Sequence, residues 1–62
     1  MIRVGTILYG YCGGYFGRDS YNDKRVEAVG ADWVVAREED SGHVVLANTT
    51  PERLEQYMAD ER

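Results

Sequence analysis

Four stretches of the chain cluster or alternate apolar residues in the way that β-strands do. The first, over about residues 2–11, is rich in β-branched and aromatic residues and has no helix cap before it. The second alternates charged and apolar residues over about 24–29, and two apolar runs follow at about 33–38 and 43–48. A short acidic segment that ends in Ser41-Gly42 connects the last two runs and predicts a hairpin. A meander of antiparallel strands is therefore expected.

The C-terminal segment changes to helical signals. Thr49 or Thr50 can cap a helix, and Pro51 suits its first turn because the missing N–H would have no partner there. Glu52 lies three residues after Thr49, as in a capping box. These signals predict a helix over about 51–61.

This helix carries a single apolar stripe. Leu54, Tyr57 and Met58 fall on one face, and polar residues cover the rest. Because such a stripe needs a sheet to lie on, residues 1–62 are expected to form one α+β domain. Its small antiparallel sheet has three to four strands, with the C-terminal helix packed on one face.

The predicted loop at 12–23 belongs to the most unusual segment of the chain. Four glycines and five aromatic residues fall within residues 9–21. Glycine backbone N–H groups can converge on an anion, aromatic rings can stack on bases, and an arginine can bind a phosphate. The loop therefore predicts a site for a phosphate-bearing ligand. Its candidate binding residues are Gly13, Gly14, Tyr15, Phe16, Arg18, Ser20 and Tyr21.

The same residues also have a structural explanation. Glycine-rich loops turn, and tyrosines can cover a thin sheet while their hydroxyls stay in water. The glycine spacing matches neither a P-loop nor a dinucleotide fingerprint. Arg18 can pair with Asp19 or Asp23 instead of a ligand, and Lys24 is most simply a charge that protects a strand end.

Other polar residues do not assemble into a catalytic or metal-binding pattern. Cys12 is expected to be buried and inert, and His43 begins a strand where an exposed imidazole is ordinary. The carboxylates at 38–40 lack the spacing of a calcium loop and suggest a solvated turn. Trp33 suggests a core or interface anchor. We therefore expect no enzyme, no metal and no cofactor.

The size of the chain favours self-association. Sixty-two residues bury a thin core, and one cysteine and one histidine supply neither an internal disulfide nor a structural zinc site. One helix covers only one face of a sheet. The other face, or an edge, is therefore expected to contact a second subunit. A homo-oligomer, a dimer or tetramer, is expected.

The charge distribution narrows the partners. The net charge is −4; residues 1–30 carry four basic and three acidic residues, and residues 31–62 carry three and eight. Duplex nucleic acid is therefore a poor partner, and an anionic ligand should meet the N-terminal half. The sequence shows neither a membrane-spanning stretch nor a signal peptide, so a cytoplasmic protein is expected.

The segment Gly-Tyr-Cys-Gly-Gly-Tyr-Phe-Gly-Arg-Asp-Ser-Tyr, followed by Asp-Lys-Arg-Val-Glu-Ala-Val-Gly-Ala-Asp-Trp-Val-Val, resembles small uncharacterised proteins of bacteriophages, particularly phages of actinobacteria. The resemblance spans residues 9 to about 57 and brings no functional residues with it. It implies a phage accessory protein acting in a bacterial host cytoplasm. By analogy with other such proteins, a homo-oligomer that sequesters a nucleotide signal and so evades host defence is expected. The alternative is an interaction module that inhibits a host protein through its acidic C-terminal half.

Overall fold

A computed structural model of the chain describes residues 1–17 and 21–60. Four strands precede one helix: β1 (Ile7–Leu8), β2 (Lys24–Val29), β3 (Val34–Glu38), β4 (Val44–Ala47) and α1 (Pro51–Asp60). The strands lie in the order β1-β2-β3-β4, and every neighbouring pair is antiparallel. The predicted α+β fold is therefore confirmed, as a four-stranded meander with a C-terminal helix.

Strand alternation separates an inner sheet face, which packs with α1, from an uncovered outer face. Val26, Val34 and Ala36 point inward and belong to one buried cluster with Leu54 and Met58 of α1. Leu54 has no exposed surface, whereas the third member of the predicted stripe, Tyr57, is only partly buried. The helix thus docks through the predicted apolar stripe.

The first strand is much shorter than the predicted span of 2–11. Gly5 (φ 94°) and Gly10 (φ 75°) adopt left-handed backbone conformations that an extended strand cannot contain. They confine β1 to Ile7–Leu8. β2 has the predicted bounds, β3 and β4 are slightly shorter than predicted, and α1 ends at Asp60, beyond which the predicted helix end lies outside the described residues.

The helix begins with a cap at the second of the two candidate threonines. Thr50 Oγ1 accepts a hydrogen bond from Arg53 N at 3.1 Å, and Thr50 O accepts one from Leu54 N at 3.1 Å. Since Thr50 is the cap, the residue three positions later is Arg53, and the capping box predicted between Thr49 and Glu52 does not form. Thr49 is left buried beside the helix start.

Lys24 corrects one prediction, because it is fully buried and does not protect a strand end. Its Nζ donates to the carbonyl oxygens of Gly10, at 3.1 Å, and Asn22, at 2.9 Å. The register places Lys24 directly opposite Glu38, which is 7% exposed. A lysine on this face is tolerated because its buried ammonium group donates hydrogen bonds to these two carbonyl oxygens. Lys24 therefore links Gly10, just before the predicted loop at 12–23, to Asn22 near the end of that loop.

The outer face of the sheet carries a cross-strand ion pair. Arg37 Nε donates to Glu27 Oε2 at 2.8 Å. The hydrogen bond from Arg37, together with its charge, lowers the pKa of Glu27, and the same contacts raise the pKa of Arg37. The pair fixes the outer surface of β2 against β3.

This ion pair predicts a specific pH dependence. Because folding lowers the pKa of Glu27, its stabilisation is present above the unfolded pKa of about 4.5 and is lost as pH falls through the folded pKa. Glu27→Gln should therefore lower the melting temperature slightly at pH 7 and make no difference at about pH 2. Thermal unfolding followed by circular dichroism at both pH values measures this. Asp40→Asn, in an exposed turn, is the control, and an equal loss at both pH values would contradict the assignment.

Candidate ligand-binding cleft

Part of the glycine-rich loop serves the core. Phe16 is 5% exposed and lies in the buried cluster, with Lys24 Nζ 5.8 Å from its ring centroid. Gly13 (φ 69°) packs so closely on α1 that a Cβ there would lie 3.0 Å from the ring of Tyr57. Phe16 therefore offers no open ring face to a ligand, and Gly13 lets the loop approach the helix. Gly14, also proposed as an anion donor, is exposed.

The loop tyrosines lie nearer the surface. Tyr15 is half-buried and packs edge-to-face on Tyr57 of α1, with ring centroids 6.1 Å apart. Tyr21 is 81% exposed, and its ring centroid lies 5.5 Å from that of Tyr11. Arg18 and Ser20 lie outside the described residues. Ligand binding by the loop as a whole stays a prediction.

A cleft of about 330 Å³ lies elsewhere, where the β2–β3 turn, the end of β4 and the start of α1 meet. Its volume is at the lower end of the range for small-molecule sites, about 300–1,000 Å³. It is lined by Asp32, Trp33, Asn48, Thr49, Thr50 and Arg53.

Trp33 supplies the cleft with an aromatic wall, positioned by the turn between β2 and β3. Gly30 N donates to Trp33 O at 2.9 Å and closes a turn with two central residues. A Cβ on Gly30 would lie 2.1 Å from the indole, so only glycine lets Trp33 lie there. The indole is 37% exposed. The turn thus holds a large ring in place with part of its surface open to solvent.

Arg53 supplies a cation on the opposite element. Its backbone N–H is occupied by the helix cap, but its guanidinium makes no hydrogen bond or ion pair within residues 1–17 and 21–60. By contrast, Arg25 binds Glu39 and Arg37 binds Glu27. Asp32 lines the same cleft without pairing with Arg53. An arginine without a partner among the described residues can serve an anionic ligand.

Thr49 lines the cleft, and its side chain carries a buried polar atom. The residue is 7% exposed, and its Oγ1 is buried without a hydrogen-bond partner in the described structure. A buried hydroxyl in this state costs about 1–3 kcal/mol and is rare in folded proteins. Because the atom is enclosed, only a shift of the cleft wall would bring this hydroxyl to a ligand.

The cleft therefore combines an aromatic residue, a cation and several polar side chains. An indole face can stack on a planar ring, a guanidinium can hold a phosphate, and the Asp32 and Asn48 side chains can bond hydroxyl or amino groups. Pro51 has no N–H and the cap occupies that of Arg53, so the helix terminus adds few donors of its own. Asp32 and Arg53 are the only ionisable side chains among the described lining residues.

The other chemically interesting residues are used internally. Cys12 is buried, as predicted, and its thiol lies 3.4 Å from the Gly10 carbonyl oxygen. The expected solvated turn at 38–40 is wrong for Glu38, which is buried at the end of β3 and accepts a hydrogen bond from Ser41 Oγ at 2.7 Å. No group of three His, Cys, Asp or Glu side chains in the described ranges could hold a metal ion.

Membrane-spanning character and similarity to known proteins also bear on the function of the chain. Within the part of the chain that the structure describes, no helix has the length and apolar character that a membrane crossing requires. Searches with protein-family models, among curated proteins and among solved structures find no match to this chain.

Proposed function

We propose that this protein binds a small phosphate-bearing molecule of the nucleotide class, in the cleft between Trp33 and the start of α1. The observation that carries the proposal is that Arg53, whose guanidinium has no partner within residues 1–17 and 21–60, lines the same cleft as the partly exposed Trp33. One group binds phosphate and the other stacks on a base, so the two together match the two ends of a nucleotide. The polar residues Asp32, Asn48 and Thr50 in the same lining support a polar occupant.

The charge of the site favours a ligand with few phosphates. A single arginine is present, Asp32 contributes a carboxylate to the same lining, and the chain carries a net charge of −4. Each further phosphate would add repulsion without a second cation to offset it. A nucleoside monophosphate or a cyclic mononucleotide therefore fits better than a triphosphate, and the small volume agrees with a mononucleotide.

Sequestration is the role that best suits such a site. Neither ionisable group in the lining is placed beside a partner that would activate it as a nucleophile or base. A protein that binds a nucleotide without converting it acts by lowering the free concentration. On the resemblance to small phage proteins, we propose this role for a phage-infected bacterium, where assembly into a homo-oligomer would multiply the number of sites per particle.

The alternative of an inhibitory module using the acidic C-terminal half has less support. Glu38 is buried and Glu39 pairs with Arg25 at 3.0 Å, so two of the three carboxylates at 38–40 are already engaged. An acidic surface for a host protein would rest mainly on α1. This reading stays a prediction.

Arg53→Gln is the variant that tests the proposal. Titration calorimetry should first be run with the four ribonucleoside 5′-monophosphates and their 3′,5′-cyclic forms. Losing the charge-assisted hydrogen bonds should weaken binding by about 1.5–3 kcal/mol, roughly ten- to a hundredfold. Arg3→Gln is the matched control, because it removes the same charge from an exposed residue that does not line the cleft.

A second variant tests the aromatic wall without touching the cation. Gly30→Ala places a methyl group where the indole lies, so Trp33 must move. We expect weaker binding with Arg53 intact. If no nucleotide binds below about 1 mM, or if Arg53→Gln and Arg3→Gln bind equally well, the cleft is not a nucleotide site.

A further inference from the structure

The two edges of the sheet differ in how open they are to another strand. β4 is the last strand of the sheet and pairs only with β3 in the described structure, so the backbone groups along its other side face outward. Natural edge strands are usually protected by shortness, charge, proline or a bulge. β1, at the opposite edge, has two residues between left-handed glycines at 5 and 10. That edge is closed to pairing.

β4 is longer than β1 and lacks charge, proline and a bulge. Its four residues are Val, Val, Leu and Ala, and Val44 and Leu46 expose 53% and 48% of their surface. The uncharged stretch is longer than the strand, because no Asp, Glu, Lys or Arg occurs at residues 41–51, although 29% of the chain is charged. The chain thus keeps one apolar, neutral edge in an otherwise highly charged protein.

We infer that β4 is an interaction surface for a second copy of this chain, which pairs with it antiparallel across a two-fold axis. The neutrality of the edge is what favours a second copy. Two chains of net charge −4 repel each other, and an uncharged contact segment lets them meet without bringing carboxylates together. An edge that attracted a charged foreign peptide would instead carry complementary charge.

The inference includes a register, chosen so that the exposed apolar residues of β4 cover each other. Directly opposite residues in an antiparallel pair share a face of the sheet, and Val44 and Leu46 both lie on the outer face with their β3 partners Arg37 and Val35. With Val45 on the axis, Val44 of each copy lies opposite Leu46 of the other. The half-exposed apolar side chains then cover each other, and the eight strands form one continuous sheet with both helices on its inner side.

Charge-swapped variants test both the surface and the register. The double variant Val44→Glu/Leu46→Glu places carboxylates directly opposite each other twice, whereas Val44→Lys/Leu46→Glu places a lysine opposite a carboxylate twice. Sedimentation velocity over micromolar to millimolar concentrations should show the wild type approaching about 14 kDa, twice the 7.0 kDa of the chain. The like-charge variant should stay monomeric, and the opposite-charge variant should dimerise roughly tenfold or more tightly than it.

The controls separate loss of assembly from loss of folding. Val4→Glu/Val29→Glu adds the same charge at exposed residues outside β4 and should dimerise far better than the like-charge β4 variant. Circular dichroism should show all three variants folded. In hydrogen exchange, the amides of β4 should gain protection as concentration rises, and those of β1 should not.

Two results would overturn the inference, and neither involves a ligand. One is a wild type that remains at 7.0 kDa up to about 1 mM. The other is equal assembly of the like-charge and opposite-charge variants.

Discussion

Leu54→Ala is expected to destabilise the protein by about 2–5 kcal/mol, enough to unfold much of so small a domain. Leu54 is fully buried and joins α1 to the inner face of the sheet. Its truncation loses apolar burial and leaves a cavity that a thin core can fill only by shifting the helix. Thermal and urea unfolding measured at low protein concentration give the change directly.

Leu46→Ala is the matched control for this experiment. It removes the same atoms from a leucine that is 48% exposed on the outer face. In a dilute monomer its cost should be well under that of Leu54→Ala, since exposed substitutions usually change stability by about 0.5 kcal/mol or less. Equal melting temperatures for Leu54→Ala and the wild type would show that the helix does not hold the fold together.

Lys24→Met should have a comparably large effect, roughly 2–5 kcal/mol. The change keeps most of the side-chain volume but removes the buried ammonium that donates to Gly10 O and Asn22 O. It also leaves the buried Glu38 without the cation opposite it. Unfolding followed by circular dichroism measures the loss.

The double variant Lys24→Met/Glu38→Gln separates the charge effect from the packing effect. If the two buried charges compensate each other, the double variant is less destabilised than the sum of the single variants. Strict additivity would show that Lys24 acts only through the loop carbonyls. A wild-type melting temperature for Lys24→Met would contradict the burial of its ammonium group.

The fold was largely predictable because its signals are local. Thr50 and Pro51 mark a helix start, and the alternation of β2 gives its bounds. The first strand was overestimated because composition shows that Gly5 and Gly10 are flexible but does not show that both adopt left-handed conformations. Those conformations depend on contacts with distant parts of the chain.

The burial of Lys24 had a signal in the sequence. Strand side chains alternate, so Lys24 shares a face with Val26, and Glu38 shares one with Ala36 and Val34. What the pattern did not supply was the register, which places the two charges opposite each other. Because charged residues are usually exposed, the buried hydrogen bonds of Lys24 were not predicted.

The cleft could not be predicted from spacing. Trp33 is far from Asn48 and Arg53 in the chain and comes beside them only because β3 begins where β4 ends, next to the start of the helix. The density of glycines and aromatic residues instead predicted a ligand site in the loop at 12–23. Part of that density is now explained structurally, since Phe16 fills the core and Gly13 packs on Tyr57.

The most direct test of nucleotide binding in the cleft is a map of where the ligand lies. Two-dimensional ¹H–¹⁵N spectra of the protein, recorded during titration with a cyclic mononucleotide and with a nucleoside 5′-monophosphate, report every backbone amide and the single indole Nε1–H at once. Binding in the cleft predicts that the largest shifts fall on the Trp33 indole and the amides of residues 48–53, and that Arg53→Gln requires roughly ten- to a hundredfold more ligand to produce them. Shifts confined to the loop at 12–23, or no shifts with either ligand at millimolar concentration, would contradict it.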